Sequence, residues 1–495
     1  MIPSDSGLSI ENLWFSYPEY PGVAARDLFS GLNLELPPES IVLLLARPDE
    51  GKTTLCRVLA GLVPRFTGGE LRGQIRLGGL RLLDHHPFEL IEQIGLVFQH
   101  PGEQLLASQC DSEVAFPLES LGISRSEIER RVDSALQAMA LERYRRESPK
   151  VLSGGEKKKL LIACLLAVDP RLWLLDETLE ELDQGTKRRL LQFLKKRRRS
   201  TLILSAKWHD LFREYVQRIF LLERGKVQGI AESIGSPEFH GLLLKRGFVL
   251  PREGREPLKV MSHAAAPPSA EKPGTRDGET LLIAEDLYFR YEENGDGSAF
   301  SLKIDRLHLT TGQTTALVGD NGSGKSTLGR ILCGLLTPGK GEIRIRIGEE
   351  LRAATADTLN RYTGYLFQDP DLQIFLPTVF EELALGLRHL HLAAEDIDRR
   401  VRETIALFDL PATEVPPSLM SYGARKKLQA AVYYLLDRPL MIIDEGDSGL
   451  SVNDFAGLVR RFQKRDSALI FITHDRRLAD ALADEVVELK SGSFV

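Results

Sequence analysis

The sequence predicts an α/β fold that is repeated in two domains, and three observations support this prediction. At 495 residues, the chain exceeds what one ordinary hydrophobic core accommodates. Its halves carry the same motifs in the same order, since the second half contains GDNGSGKSTL and LMIIDE where the first contains ARPDEGKTTL and LWLLDE. In each half a strand-like apolar run leads into the first motif and a helix-like segment follows it, an order typical of parallel α/β sheets.

The composition is that of an ordinary globular protein, with 43% hydrophobic residues, 27% charged residues and a formal net charge of −6. Because this balance indicates no polyanion partner, we expect no nucleic acid partner. The four cysteines form no CxxC pair and are typical of reduced cytosolic thiols. No secretory signal is apparent, and no uncharged apolar run approaches the roughly 18 to 20 residues of a spanning helix. We therefore expect any membrane part to come from another subunit.

The two repeats are separated by a segment of different composition. This segment is rich in proline, alanine and charged residues, and it has neither a helical nor a strand period. Such a composition favours a tether over a packed element. We predict a first domain over residues 1–250, a flexible linker over 251–279 and a second domain over 280–495.

In the second half, the segment GDNGSGKST fits the pattern G-x-x-x-x-G-K-[ST] of a phosphate-binding loop. Glycines allow successive backbone N–H groups to face phosphates, and the following helix adds positive potential at its N-terminus. We expect Lys325 to reach the β- and γ-phosphates and Ser326 to bind Mg²⁺. The predicted nucleotide-binding residues of this loop are Gly319, Asn321, Gly322, Gly324, Lys325, Ser326 and Thr327.

The corresponding loop of the first half departs from this pattern. Ala46 occupies the position of the first glycine, Pro48 removes a backbone donor and Asp49 adds a carboxylate beside the expected phosphates. Gly51 is kept, as are Lys52 and Thr53, which we predict as nucleotide-binding residues. We therefore expect weaker or unusual nucleotide binding in the first half.

Each half also contains an Asp-Glu pair at the end of an apolar run, as expected for a buried strand that opens into a site. In the second half, Asp444 is predicted to bind Mg²⁺ and Glu445 to polarise an attacking water. Asp176 and Glu177 are their equivalents in the first half.

Aromatic residues precede each phosphate loop. We predict that Tyr17 and Tyr291 stack on a nucleotide base, a contact that contributes about 1–3 kcal/mol. For Tyr17, an aromatic residue of an edge strand is an equally good interpretation.

The segment LSGGE, residues 152–156, lies between a phosphate loop and an Asp-Glu strand. This arrangement resembles the ATP-binding-cassette ATPases, and the resemblance extends over both halves of the chain. It implies that each domain has a RecA-like α/β core, an antiparallel β subdomain and a helical signature subdomain. It also implies that the domains pair head to tail within the chain, so that ATP lies between one phosphate loop and the opposite signature.

The same resemblance assigns further site residues. Ser153, Gly154 and Gly155 of the first signature are expected to contact nucleotide. Gln368 belongs to the loop that couples the site to a partner, with a role in catalysis and Mg²⁺ binding, and Gln99 is its equivalent. His474 is the switch histidine, which contacts the γ-phosphate and contributes to catalysis. The implied reaction is ATP hydrolysis.

A narrower resemblance involves the pattern F-Q-x-P-x-x-Q, present as FQHPGEQ and FQDPDLQ. This pattern is similar to that of the ATPases of energy-coupling-factor importers, which take up vitamins and metal ions. It implies an integral membrane scaffold and a substrate-binding membrane subunit as partners, at the cytoplasmic face of the membrane. Tandem ATPases of sugar importers and ribosome-associated tandem-cassette translation factors are the alternatives.

Two departures predict that the halves are not equivalent. Lys207 occupies the switch-histidine position of the first half, and Tyr422 replaces a glycine in the second signature, MSYGA. We predict one competent composite site, formed by the second phosphate loop and the first signature. The other site is expected to be nearly silent, with the Tyr422 ring blocking the signature that faces it.

Overall fold

A computed structural model describes residues 7–18, 27–99, 101–180, 182, 184–197, 199–230, 233–249, 278–291, 300–320, 322–465 and 467–495. The chain divides into two compact units, residues 1–249 and 250–495. Of the predicted linker, only Gly278 and Glu279 belong to the described residues. The predicted nucleotide-binding residue Asn321 lies outside them.

The first unit is built on two sheets, whose strands are β1 (Leu8–Ser16), β2 (Asp27–Leu36), β3 (Ile41–Ala46), β4 (Glu70–Leu77), β5 (Leu80–Arg81), β6 (Ile94–Val97), β7 (Leu172–Asp176), β8 (Ser200–Ser205), β9 (Arg218–Glu223) and β10 (Lys226–Gly229). One sheet has the order β2-β1-β4-β5 and is antiparallel. The other has the order β10-β9-β3-β8-β7-β6 and is parallel except for the β10–β9 pair.

The helices of the first unit are α1 (Lys52–Leu59), α2 (Cys110–Ser120), α3 (Arg125–Ala138), α4 (Gly154–Val168), α5 (Gln184–Arg197), α6 (Phe212–Tyr215) and α7 (Pro237–Arg246). Helices α2, α3 and α4 share a core of their own, to which Val114, Leu136 and Leu160 belong. They therefore form a helical subdomain beside the sheets.

The second unit repeats this plan with strands β11 (Thr280–Arg290), β12 (Ser301–Thr310), β13 (Thr314–Val318), β14 (Lys340–Ile347), β15 (Glu350–Ala353), β16 (Thr363–Leu366), β17 (Leu440–Asp444), β18 (Ala468–Ile472), β19 (Glu485–Lys490) and β20 (Ser493–Phe494). Its sheets have the orders β12-β11-β14-β15 and β16-β17-β18-β13-β19-β20. Its helices are α8 (Lys325–Leu332), α9 (Ala356–Tyr362), α10 (Val379–His389), α11 (Ala394–Phe408), α12 (Tyr422–Leu436), α13 (Val452–Gln463) and α14 (Arg476–Leu482).

The central strands of each larger sheet are apolar because both faces are covered, in the first unit by the antiparallel sheet and α1 on one side and by helices that include α4 and α5 on the other. Every residue of β3, β13, β17 and β18 is buried. The carboxyl ends of such parallel strands lie at one edge of the sheet, where ligands bind in this class of fold. The α/β fold with a separate antiparallel sheet, predicted for each half, is confirmed.

Among the described residues, no helix combines the length and the apolar character needed to span a membrane.

Candidate nucleotide site

The phosphate loop of the second unit joins β13 to α8 through backbone that requires glycine. A Cβ atom at Gly319 would lie 2.1 Å from the carbonyl oxygen of Leu489, and Gly324 caps α8 with φ of 104°. Lys325 Nζ donates hydrogen bonds to the carbonyl oxygens of Gly319 (2.8 Å) and Asp320 (2.9 Å). The ammonium group therefore lies over the loop, where a phosphate would meet it.

Asp444, at the end of β17, has both carboxylate oxygens in hydrogen bonds. Ser326 donates to Oδ1 at 2.9 Å, and the Tyr365 hydroxyl donates to Oδ2 at 2.6 Å. The pKa of Asp444 lies above its usual value, because burial and the neighbouring Glu445 raise it more than the two hydrogen bonds lower it. Ser326 and Asp444 are site residues predicted from the sequence, whereas Tyr365 was not predicted.

Glu445, the next residue, is held by two other predicted residues. Gln368 Nε2 donates to Oε2 at 2.7 Å, and His474 Nε2 lies 2.8 Å from Oε1. Burial alone would raise the pKa of Glu445, but the hydrogen bond and charge of His474, with the charge of Lys325, lower it below its usual value. The carboxylate is therefore ionised near neutral pH and can accept a proton.

The backbone of Glu445 is fixed in an uncommon conformation. Its φ of 45° is left-handed, which is unfavourable for a residue other than glycine. The Glu445 N–H donates to the Ile472 carbonyl at 3.1 Å, and Lys426 Nζ donates to the Glu445 carbonyl at 2.8 Å. Lys426 lies in α12, one turn after its start. This lysine, too, was not predicted from the sequence.

The phosphate loop of the first unit follows a different path at its start. Ala46 continues β3 and pairs with Leu222, so the chain avoids the close approach that Gly319 makes in the second unit. Asp49 keeps the left-handed turn with φ of 65°, and its side chain is exposed. Lys52 Nζ still donates to the carbonyl oxygens of Ala46 and Arg47, both at 3.0 Å.

The acidic residues of the first unit have different partners. Thr53 donates to Asp176 Oδ2 at 2.6 Å, but the buried Oδ1 has no hydrogen-bond partner among the described residues, because Leu96 occupies the position of Tyr365. Glu177 accepts a hydrogen bond from Gln99 at 2.9 Å and forms a 3.1 Å ion pair with Lys52. Both partners of this ion pair are only 5% exposed.

The switch-histidine position of the first unit is filled by Lys207, which is buried where His474 is exposed. The pKa of the nearby Glu180 lies above its usual value because burial and Glu177 raise it, and the charge of Lys207 offsets part of this rise. His209, two residues further on, packs edge-on against Phe212. Among the described residues, neither side chain makes a hydrogen bond or ion pair to Glu177 like the one between His474 and Glu445.

The two signature segments form the N-termini of helices α4 and α12. Ser153 caps α4 in a reciprocal arrangement with Glu156, whose Oε2 accepts hydrogen bonds from Ser153 N and Oγ. Gly154 and Gly155 form the first turn of this helix. Ser421 caps α12, which begins at Tyr422, and the Tyr422 hydroxyl donates to the Gln368 carbonyl at 2.8 Å. The aromatic ring therefore contacts the glutamine loop of its own unit.

Both predicted base-stacking tyrosines lie beside a phosphate-loop helix. The Tyr17 hydroxyl is 2.9 Å from Thr54 Oγ1, and the Tyr291 hydroxyl is 3.3 Å from Thr327 Oγ1. The ring of Tyr291 is 40% exposed, whereas that of Tyr17 is partly buried and packs edge-on against Phe15. Stacking on a base stays a prediction for both residues.

A scan for known families matches the ABC transporter model twice, over residues 29–180 and 302–448. The chain belongs to the ABC transporter family. Two relatives described as ABC transporter ATP-binding proteins match nearly all of it. One, from Methanosarcina mazei, is 30% identical over 99% of this chain and 89% of its own length. The other, from Methanosarcina acetivorans, is 31% identical over 98% and 84%.

Among solved structures, cbiO1 from Clostridium perfringens, part of the ABC transporter complex cbiONQ, is 27% identical over 44% of this chain and 87% of its own length, with a TM-score of 0.38. The family model and the two relatives show that the protein is the ATP-binding component of an ABC transporter and an ATPase with two cassettes, as predicted.

In the second cassette, the fold brings the predicted residues into two hydrogen-bonded groups on adjacent acids: Ser326 bonds to Asp444, and Gln368 and His474 bond to Glu445. Tyr365 joins the group on Asp444, and Lys426 bonds to the backbone of Glu445. In the first cassette, Lys52, Thr53, Gln99, Asp176 and Glu177 form a similar group without a histidine. The sequence signal for Tyr365 and Lys426 was only their position beside recognised motifs.

We expect Tyr365→Phe to lower the free energy of unfolding of the second cassette by about 1–3 kcal/mol, because it leaves the buried Asp444 Oδ2 without a donor. Urea unfolding of the full chain measures the effect. Tyr434→Phe is the matched control, since no hydrogen bond of the Tyr434 hydroxyl is found among the described residues. Equal unfolding midpoints for the two variants would contradict this prediction.

Proposed function

We propose that this ATPase is the motor subunit of an importer of the energy-coupling-factor type, which takes up a vitamin or a metal ion. The observation that carries the proposal is that large apolar side chains are exposed within the F-Q-x-P-x-x-Q segments or two residues after them. Leu106 of the first cassette is 80% exposed, and Leu372 and Phe375 of the second are 70% and 72% exposed. Large exposed apolar side chains on an ordered loop are typical of a docking surface.

The second glutamine of each motif keeps this loop in shape. Gln104 accepts a hydrogen bond from Phe98 N at 2.8 Å and donates to the Leu96 carbonyl at 2.9 Å. Gln373 makes the same pair of bonds with Phe367 N (3.0 Å) and the Tyr365 carbonyl (2.9 Å). The motif therefore folds the chain back on itself directly after the first glutamine, which contacts the catalytic acid.

In each cassette, a buried glutamate accepts hydrogen bonds from the backbone that carries these exposed side chains. Glu113 of α2 accepts hydrogen bonds from the backbone of Leu106 (2.8 Å) and Ala107 (2.6 Å). Glu382 of α10 does the same for Phe375 (3.1 Å) and Leu376 (2.7 Å). Residues 98–107 and 367–376, the two docking loops, are thus bonded both to a helix, α2 or α10, and through their first glutamine to Glu177 or Glu445. Such double attachment suits a part that transmits motion to membrane subunits.

We further propose that the two cassettes pair head to tail and form one competent site, from the second phosphate loop and the first signature. The helix N-terminus at Ser153 and Gly154 would face the γ-phosphate, where its positive potential is favourable. The second composite site would combine the altered loop at Ala46, Lys207 in place of histidine and the signature that carries Tyr422. Three such defects favour a site that holds nucleotide without hydrolysing it.

The residues at both sites suit a magnesium ion. Ser326 and Asp444 supply the hydroxyl and carboxylate oxygens that Mg²⁺ prefers, and Gln368 bonds to the adjacent Glu445. Asp176 has a buried oxygen with no donor among the described residues. When bound, the ion would offset phosphate charge. Lys325 would hold the phosphates, and Glu445 would accept a proton from water. Gln368 and His474 would orient its carboxylate.

We expect the chain to fractionate with membranes only when a scaffold subunit is coexpressed. Replacing both Leu106 and Phe375 by aspartate should reduce the membrane-bound fraction at least about tenfold, since two apolar contacts are lost. Phe66→Asp is the matched control, because Phe66 is 75% exposed but lies between α1 and β4. Stable cofractionation with ribosomes, or equal loss in the control, would contradict the proposed function.

A further inference from the structure

Tyr422 distinguishes the two signature helices. It occupies the position that Gly154 has in the first cassette, and a tyrosine there was expected to act by blocking the nucleotide across the interface. Its hydroxyl, however, donates a 2.8 Å hydrogen bond to the carbonyl of Gln368 in the same cassette. Gln368 is the residue whose side chain donates to the catalytic Glu445 at 2.7 Å.

We propose that Tyr422 is a positioning residue for the ATP site of its own cassette, the site that holds Lys325 and Glu445. This inference rests on the proposed competence of that site. The tyrosine holds the backbone of Gln368, so that the glutamine is fixed at both ends: at its carbonyl by the signature helix and at its side chain by Glu445.

The contacts of Tyr422 belong to a closed cycle of four residues. Lys426, one turn further along α12, donates to the Glu445 carbonyl at 2.8 Å, and its Nζ lies 5.4 Å from the centre of the Tyr422 ring. In this cycle Tyr422 contacts Gln368, Gln368 contacts Glu445, Glu445 contacts Lys426, and Lys426 contacts Tyr422. The signature helix therefore contacts the catalytic acid by two routes.

Two further side chains of α12 hold the same loop. Arg425 forms a 2.7 Å ion pair with Asp371, three residues after Gln368. Gln429 donates to the Phe367 carbonyl at 3.2 Å and bonds to Gln373. Three polar residues on one helix thus fix both sides of Gln368.

The first cassette provides the comparison within the same chain. Its equivalents of Tyr422, Arg425 and Gln429 are Gly154, Lys157 and Leu161. Among the described residues, none of their side chains makes a hydrogen bond or ion pair to the loop that carries Gln99. The bonds from Gln99 and Lys158 to Glu177 are kept, at 2.9 and 3.4 Å. Within the part of the chain that the structure describes, the hydrogen bonds and ion pair between these side chains of the signature helix and the glutamine loop are therefore found in the second cassette and not in the first.

The test compares Tyr422→Phe, which removes only the hydroxyl, with Tyr422→Gly, which introduces the residue of the first cassette. We expect Tyr422→Phe to lower kcat about 2- to 10-fold, as one lost hydrogen bond implies, with KM for ATP changed less than about twofold. Tyr422→Gly should lower kcat at least as much. A tyrosine that acts only as a block predicts wild-type kcat for the phenylalanine variant and a gain for the glycine variant.

Hydrogen exchange of the full chain, without membrane subunits, supplies a second readout. Amides of residues 366–376 should exchange faster in Tyr422→Phe than in wild type, while Tyr434→Phe, on the same helix, should match wild type in both exchange and kcat. Unchanged exchange in Tyr422→Phe, or faster exchange with wild-type kcat, would overturn the inference. Wild-type kcat in Glu445→Gln would contradict the proposed competent site, and the exchange experiment would still test the contact.

Discussion

Replacing Glu445 by glutamine is expected to lower steady-state ATP turnover about 10²- to 10⁴-fold, the range for loss of a positioned general base. The glutamine keeps the size of the side chain and can still accept from Gln368, but it can no longer take a proton from water. Glu177→Gln is the matched control in the first cassette. We expect it to lower turnover less than about twofold.

The contacts of the two glutamates explain this difference. Lys325 and Lys52 both donate to the carbonyls of their own loops, but Oε1 of Glu445 is paired with His474, and no ion pair between Lys325 and Glu445 is found among the described residues. Lys325 is therefore available to a phosphate. In the first cassette the histidine is missing, and Oε1 of Glu177 forms a buried ion pair with Lys52. A nucleotide phosphate would have to compete with Glu177 for Lys52. This competition disfavours nucleotide binding at the first phosphate loop.

The measurement is ATP hydrolysis by the full-length variants, with nucleotide binding followed separately. Because Glu177→Gln removes the charge that holds Lys52, it should also strengthen nucleotide binding at the first phosphate loop. Equal losses of turnover in Glu445→Gln and Glu177→Gln would contradict the proposal of one competent site.

Much of the fold follows from sequence because each central strand is a continuous apolar run directly followed by a loop motif. The runs that end at Ala46 and Asp444 became buried strands, with their polar residues at one edge of the sheet. Ser326, Asp444, Glu445 and Gln368 then meet because parallel strands end side by side.

The residues that the sequence analysis missed depend on contacts between distant segments. Tyr365 and Asp444 are 79 positions apart, and nothing in the run GYLFQ indicates that the tyrosine faces the acid. Tyr422 appeared only as a lost glycine, because the bond to Gln368 depends on how α12 packs against the glutamine loop. A departure from a motif identifies a position, whereas its new contact becomes apparent only in the folded chain.

Gly154→Asp is expected to reduce turnover at least about 10²-fold, although Gly154 belongs to the first cassette and the phosphate loop of the proposed competent site belongs to the second. In the proposed head-to-tail pair, the N-terminus of α4 faces the γ-phosphate and stabilises charge that develops during hydrolysis. An aspartate at this position would place a negative charge against the phosphate and oppose the helix dipole's contribution there.

A matched pair of variants separates this effect from damage to the helix. Ser153→Ala and Ser421→Ala each remove a helix N-cap, so both should cost about 1 kcal/mol of stability. Only Ser153→Ala removes a hydroxyl that faces the competent site in the proposed pairing, so it should lower turnover several-fold while Ser421→Ala stays near wild type. ATP hydrolysis and thermal unfolding of the full-length variants measure both effects. An active Gly154→Asp variant, or equal losses of turnover in the two serine variants, would contradict head-to-tail pairing.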